Sequence, residues 1–189
     1  KIMGSTNDLR TGAIIKYNGE NCAVVDYNHV KPGKGGAFYQ VKMRNIATGK
    51  IAEHRFRSGE SIDFVRVEKR PYQYLYDDGD LLYFMNVDTY EQVPVEKNLV
   101  GDSLKFLKPN EECLIAFEDE AVLDVELPPH VNLEVTHTEP GLKGDTATNT
   151  LKPATVETGA EVQVPLFIDE GDMVRIDTEK GAYIERVKE

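Results

Sequence analysis

The chain has 189 residues, 40% of them hydrophobic, and a formal net charge of −11. That length admits one to three domains, and no apolar run approaches the roughly 18–20 residues that a membrane-crossing helix needs. The acidity argues against a protein that wraps nucleic acid non-specifically, because affinity for phosphate comes largely from Lys and Arg releasing counterions.

The charge is unevenly placed. Residues 1–65 carry a net +4, residues 66–127 a net −9 and residues 128–189 a net −6. A basic head on an acidic body is one reading; an acidic surface kept for solubility is the other. Lys1–Asn7 has no apolar core of the kind a secretory signal requires. Cys22 and Cys113 lie far apart in strand-like sequence, which suits reduced, buried thiols rather than a disulfide. A soluble, cytoplasmic protein is expected.

Strand patterns dominate from the start. Cys22–Val30 and Phe38–Ile46 alternate, which predicts core faces of Ala23, Val25 and Tyr27 on the first strand and Tyr39, Val41 and Met43 on the second. Gln40, Lys42 and Arg44 then face outward. Ile51–Arg57 adds Arg55 and Arg57 outward and Phe56 inward. With turns at Tyr17-Asn18-Gly19-Glu20 and Ala47-Thr48-Gly49-Lys50, these runs predict a small SH3-like barrel over residues 1–65.

Between the two long strands lies Lys31-Pro32-Gly33-Lys34-Gly35-Gly36. Glycine on both sides leaves Lys34 uncrowded at a hairpin tip, placed to enter a site on another molecule. The loop is equally readable as a glycine-rich turn whose lysine serves solubility.

A second module is expected over 66–128, with strands at Tyr72–Tyr76, Leu81–Asn86, Cys113–Phe117 and Ala121–Leu127. Val95–Leu107 reads as a short helix or irregular connection bounded by Pro94 and Pro109. Pro128-Pro129 marks the next boundary. Val131–Thr138, Ala160–Ile168, Met173–Asp177 and Ala182–Val187 then predict a third module over 129–189. Two sets of about 60 residues fit oligonucleotide-binding (OB) barrels. Asp78-Gly79-Asp80-Leu81 and Glu170-Gly171-Asp172-Met173 hint at internal repetition. The fold class is all-β throughout.

No motif assembles an active site. Gly101-Asp102-Ser103-Leu104 matches the tetrapeptide of one lipase–esterase family, but the Asp-x-x-His that family needs downstream occurs only upstream, at Asp26–His29. His29, His54, His130 and His137 are scattered, with no zinc spacing. Asp77-Asp78-Gly79-Asp80 lacks the ligand pattern of a calcium loop, and Gly33-Lys34-Gly35 lacks that of a phosphate loop. No catalytic residue, metal or cofactor is expected. Lys42, Arg44, Arg55 and Arg57 could instead meet phosphates along one side of the first barrel; a solvated strand face is the alternative. Tyr183 and Arg186 could stack on RNA and hydrogen-bond to it, or be a core tyrosine and a surface arginine.

Along essentially its whole length the chain resembles the bacterial elongation factor P family. The likeness rests on His29-Val30-Lys31-Pro32-Gly33-Lys34-Gly35, Glu139-Pro140-Gly141-Leu142-Lys143-Gly144-Asp145-Thr146, Lys152-Pro153-Ala154-Thr155, Glu157-Thr158-Gly159-Ala160, Val164–Ile168, Gly171-Asp172, Asp177-Thr178, Tyr183 and Arg186. It implies an N-terminal SH3-like (KOW-type) barrel and two OB barrels in an L that imitates tRNA. It further implies a monomer that binds both ribosomal subunits between the peptidyl-tRNA and exit sites, with no membrane partner. There it would relieve stalling at consecutive prolines without being an enzyme. Lys34, in the loop Lys31–Gly36, would point at the CCA end of peptidyl-tRNA and be the target of a lysine-modifying enzyme. Gly144, Asp145, Tyr183 and Arg186 would stand at family contact positions near the exit-site codon and the tRNA anticodon stem. The loop Thr146–Thr150 varies within the family.

Overall fold

A computed structural model of the chain describes residues 2–141 and 150–188. The first sheet contains β1 (Ile2–Ser5), β2 (Ile14–Tyr17), β3 (Glu20–Val30), β4 (Phe38–Asn45), β5 (Ile51–Arg57) and β6 (Ser61–Phe64), in the spatial order β1-β6-β2-β3-β4-β5. Asn18 and Gly19 join β2 to β3 with φ of 51° and 79°. Two successive left-handed residues give the turn whose twist matches that of antiparallel strands, and Asn-Gly is the pair that adopts it most readily. Tyr39, Val41, Met43 and Phe56 are buried, while Arg55 and Arg57 are exposed.

The inward face of β3 differs from the simple alternation. Cys22 and Val24 enter the barrel core, a register shift falls between Val24 and Asp26, and Tyr27 packs partly against that core beyond the shift. Ala23 is buried on the opposite face, in a second cluster, and Val25 is only half-buried. A bulge moves every later side chain to the other face, so one alternating pattern cannot describe the whole strand.

The second sheet is built from β7 (Glu68–Asp77), β8 (Leu81–Asn86), β9 (Gln92–Glu96), β10 (Glu112–Glu118) and β11 (Ala121–Glu126), ordered β11-β10-β7-β8-β9. The third comprises β12 (His130–Thr138), β13 (Leu151–Val156), β14 (Glu161–Pro165), β15 (Met173–Asp177) and β16 (Ala182–Arg186), ordered β14-β13-β12-β15-β16. Numbered within each set, both sheets read third, second, first, fourth, fifth. The repetition is therefore one of topology. The two Gly-Asp segments are not equivalent within it: the first joins strands one and two, the second strands three and four.

Two strands carry prolines that hide them from a sequence reading. Pro94 lies in β9, an edge strand, where a missing N–H costs no ladder bond. Pro153 lies in β13, an interior strand, but its carbonyl accepts from Thr138 Oγ1 at 3.0 Å. Its nitrogen faces the same way, where β12 has already ended. The segment between β9 and β10 is irregular, as expected, with 3-10 turns at Lys97–Leu99 and Gly101–Phe106.

The three sheets fall within 1–65, 66–128 and 129–189, but the compact units are two. One comprises Lys1–Arg70, Val95–Leu99 and Ile115–Val125; the other comprises Pro71–Pro94, Val100–Leu114 and Glu126–Glu189. In the first, Ile14, Ala23, Ile46, Val65 and Ala116 share a cluster with Val67, Leu99 and Leu123. In the second, Phe106 is 1% exposed inside the core formed by Val131, Leu133, Val135, Ile168, Val174 and Ile176. Thr158 Oγ1 donates to the Lys105 carbonyl at 2.6 Å, and Lys108 Nζ donates to the Asn132 carbonyl at 2.9 Å. No helix among the described residues is long and apolar enough to cross a membrane.

Both cysteines are buried and free. Burial pushes the Cys113 thiol up to about 12, with Glu111 and Glu112 adding to the effect, and burial followed by Glu20 raises Cys22. Two outcomes are expected. In native protein at pH 8 a thiol-reactive disulfide reagent labels neither cysteine, whereas in denaturant it labels both. Because the folded pKa of Cys113 lies above its unfolded value, its contribution is complete below about pH 9 and is lost as pH rises towards 12; Cys113→Ala flattens that limb of the stability–pH curve. Phe106→Ala is expected to cost about 3–5 kcal/mol in denaturant melts, with hydrogen exchange rising first in β12 and β15.

Candidate nucleic-acid interface

The β3–β4 ladder runs from Cys22 opposite Asn45 to Val30 opposite Phe38, and Lys31–Gly36 closes it as an exposed tip. Three aromatic side chains stiffen the end next to that tip. His29 lies directly opposite Tyr39, their rings stacked at 4.2 Å and 4°, and Tyr27 lies 6.3 Å from Tyr39. Tyr39 is itself buried, so the stack is rooted in the barrel core. On the neighbouring ladder the Arg55 guanidinium sits 4.2 Å over the Phe38 ring. Ser58 N–H donates to the Ala37 carbonyl at 3.0 Å, tying the last residue before β4 to the β5–β6 turn.

Beyond this brace the tip is bare. Among the described residues no hydrogen bond or ion pair reaches the Lys34 ammonium. Gly35 has φ of +99°, which a side chain would strain. Gly33 and Gly36 are different: neither has φ in the left-handed region, and a Cβ added to either would meet nothing within 4 Å. The fold of the free chain does not demand glycine at these two positions.

The four cationic residues of the first barrel are not equivalent. Arg55 and Arg57 are exposed beside the base of the arm, opposite Gln40 and Phe38. Lys42 is exposed too, but Asp26 and Glu53 are its partners across both ladders, so two carboxylates offset its charge. Arg44 is engaged elsewhere: its Nη2 donates to Asp124 Oδ1 at 2.8 Å, and the Asp124 carboxylate is almost fully buried. The sequence reading missed both this pair and the aromatic brace. Hairpin register was the signal available for the brace, since pairing Val30 with Phe38 sets His29 opposite Tyr39.

In the third barrel Tyr183 lies opposite Ile176 and Arg186 opposite Val174, with a register shift between them that makes Ile184 the extra residue. Side chains three apart face opposite ways on an unbroken strand; the bulge returns these two to one side. Tyr183 packs against the barrel core and borders a cavity of about 370 Å³ lined also by Leu151 and Gln163. Burial pushes its hydroxyl up, opposed by the backbone and charge of Arg186. Arg186 stands 5.5 Å over the Phe167 ring and 3.9 Å from Asp172. Tyr183 is thus half core and half rim. Gly144 and Asp145 lie outside the described residues.

The rejected motifs have plain structural uses. Ser103 Oγ donates to the Val100 carbonyl at 3.1 Å, within its own turn. Asp77 and Asp78 cap backbone N–H groups of the β7–β8 turn, and Asp78 also accepts from the Tyr83 hydroxyl at 2.9 Å. No group of three metal-ligating side chains occurs among the described residues.

Comparison with known families matches all three modules in order. Residues 5–62 match the elongation factor P KOW-like domain, residues 67–125 the elongation factor P OB domain, and residues 131–186 the elongation factor P C-terminal domain. The chain is 52% identical over 189 residues to elongation factor P 1 of Porphyromonas gingivalis, covering 99% of this chain and 100% of that protein. It is 50% identical over 186 residues to elongation factor P of Chloroflexus aggregans, covering 97% and 98%. Identity to elongation factor P of Moorella thermoacetica is 50% over 184 residues, covering 97% and 100%. An all-β chain of one KOW-like and two OB-type barrels, matched end to end at this identity, belongs to the elongation factor P family of translation elongation factors, which are not enzymes.

Proposed function

We propose that this chain binds the cytoplasmic ribosome between the peptidyl-tRNA and exit sites, touching both subunits as a monomer. There it stimulates peptide-bond formation at consecutive prolines by steadying the CCA end of peptidyl-tRNA. The observation that carries this reading is the Lys34 tip: an unpaired ammonium, in a loop where the free fold needs glycine at neither Gly33 nor Gly36, on an arm braced by stacked aromatics. Clearance against another molecule supplies the reason for Gly33 and Gly36 that the chain itself does not. A narrow RNA channel and a lysine-modifying enzyme both require such a tip.

The chain works as three modules, 1–65, 66–128 and 129–189. The net charges of −9 and −6 on the last two suit a body that occupies a space made for tRNA. Arg55 and Arg57 take the phosphates next to the arm, with Lys42 a weaker contributor because of Asp26 and Glu53. Arg44 is left to Asp124. Tyr183 and Arg186 meet RNA at the rim of the third barrel, together with the Gly144-Asp145 loop.

The chain contributes position rather than chemistry. Proline is a poor substrate because its ring fixes φ and its nitrogen is a secondary amine. Holding the tRNA end close to a near-attack geometry lowers the ribosome's own barrier, and about 1.4 kcal/mol already gives a tenfold rate.

Lys34→Ala is expected to melt within about 0.5 kcal/mol of the parent yet fail to rescue a proline-run reporter; full rescue would falsify the proposed role of the tip. Gly33→Ala and Gly36→Ala are expected to be as stable as the parent, or more stable by about 0.4–1 kcal/mol, while rescuing at least tenfold less well. If both variants rescue fully, clearance at the tip is not the reason for glycine there. Intact mass of protein purified from its native host is expected to show an added group located on Lys34.

A further inference from the structure

We infer that the Arg44–Asp124 pair is a positioning latch that sets the aim of the β3–β4 arm. This rests on the reading of Lys34 given above and extends it to residues at the other end of the same strands. Arg44 lies on β4 opposite Ala23 of β3, one pair from the root of the ladder whose far end carries Lys34. At that root three features converge within one compact unit. Ala23, Ile46 and Ala116 are buried together, and partly buried Leu99 and Leu123 pack against them. The Arg44 guanidinium donates to Asp124 Oδ1 at 2.8 Å. Asp124 itself is 3% exposed.

The apolar contacts hold the root down but are non-directional. A charge-assisted hydrogen bond to a planar guanidinium is directional, and a buried carboxylate that loses a cationic partner is strongly disfavoured. The pair therefore selects one orientation of β4 on β11. From Arg44 to Phe38 at the end of the ladder is roughly 20 Å at about 3.4 Å per residue, so a tilt of about 5° at the root moves the tip by about 2 Å. Misplacement by about 1 Å can cost a positioned reaction about a hundredfold.

The test uses full-length protein carrying spin labels at Lys34→Cys and Glu120→Cys, both exposed, with pulsed dipolar spectroscopy of the free chain. Asp124→Asn is expected to broaden the label–label distance distribution at least twofold, and, without labels, to lower rescue of the proline-run reporter about tenfold. Arg44→Met/Asp124→Leu replaces both charges with apolar groups; it is expected to recover thermal stability but not the narrow distribution. Recovery of both would mean that the pair only stabilises, and an unchanged distribution in folded Asp124→Asn overturns the latch. Should Asp124→Asn fail to fold, Arg44→Lys decides by the same width, since it keeps the charge and loses the planar fork. The spectroscopic arm needs no ribosome, so the latch can fail while Lys34→Ala still abolishes rescue, and the converse is equally readable.

Discussion

A lysine acts at a distance only if the backbone that carries it is stiff and the tip that presents it is bare. These demands oppose each other, because a glycine-rich tip has high backbone entropy, roughly 1–2 kcal/mol per residue ordered on docking. The chain separates them along one hairpin. Stiffness is placed in the ladder and in the His29–Tyr39 stack, which inherits its fixity from a buried tyrosine. Freedom is confined to Lys31–Gly36. Docking then has to order only a few residues.

Electrostatics follows the same division of labour. Screening weakens exposed charges beyond about 8 Å at physiological ionic strength, so a basic third counts where its charges are neither paired nor flanked by carboxylates. Arg44 belongs to Asp124, and Lys42 is offset by Asp26 and Glu53. What remains exposed near the arm is Arg55, Arg57, Lys31 and Lys34. These four place a local cluster of positive charge around the hairpin.

Most of the strands could be read from period-2 alternation, and the all-β class followed directly. The failures share a cause: each depends on one residue whose effect is set by a neighbour distant in sequence. The β3 bulge, set by pairing with β4, leaves Ala23 buried on the other face and Val25 only half-buried, while Tyr27 beyond it packs against the core. Pro94 reads as a boundary and the strand around Pro153 goes unread because edge position and the early end of β12 are properties of the sheet. Arg44 and Arg55 are indistinguishable along the chain, yet one meets a buried carboxylate and the other an aromatic ring. The exposed loop was legible because nothing distant acts on it.

Small barrels also explain why the compact units and the three sheets disagree. A module of about 60 residues buries only about 60% of the surface its unfolded chain exposes, which leaves it marginal. The cheapest remedy is to complete a core with side chains from outside the module. Phe106, from the connection between β9 and β10, does this for the third barrel, where it is as buried as any native core residue. Ala116, Leu99 and Leu123 do it beside Ile14 and Val65. Each loan makes one barrel's stability depend on a segment that belongs, by sheet membership, to another. Strand periodicity marks where a sheet begins and ends, whereas stability follows the shared cores. Cooperative unfolding should therefore follow the two compact units more closely than the three sheets.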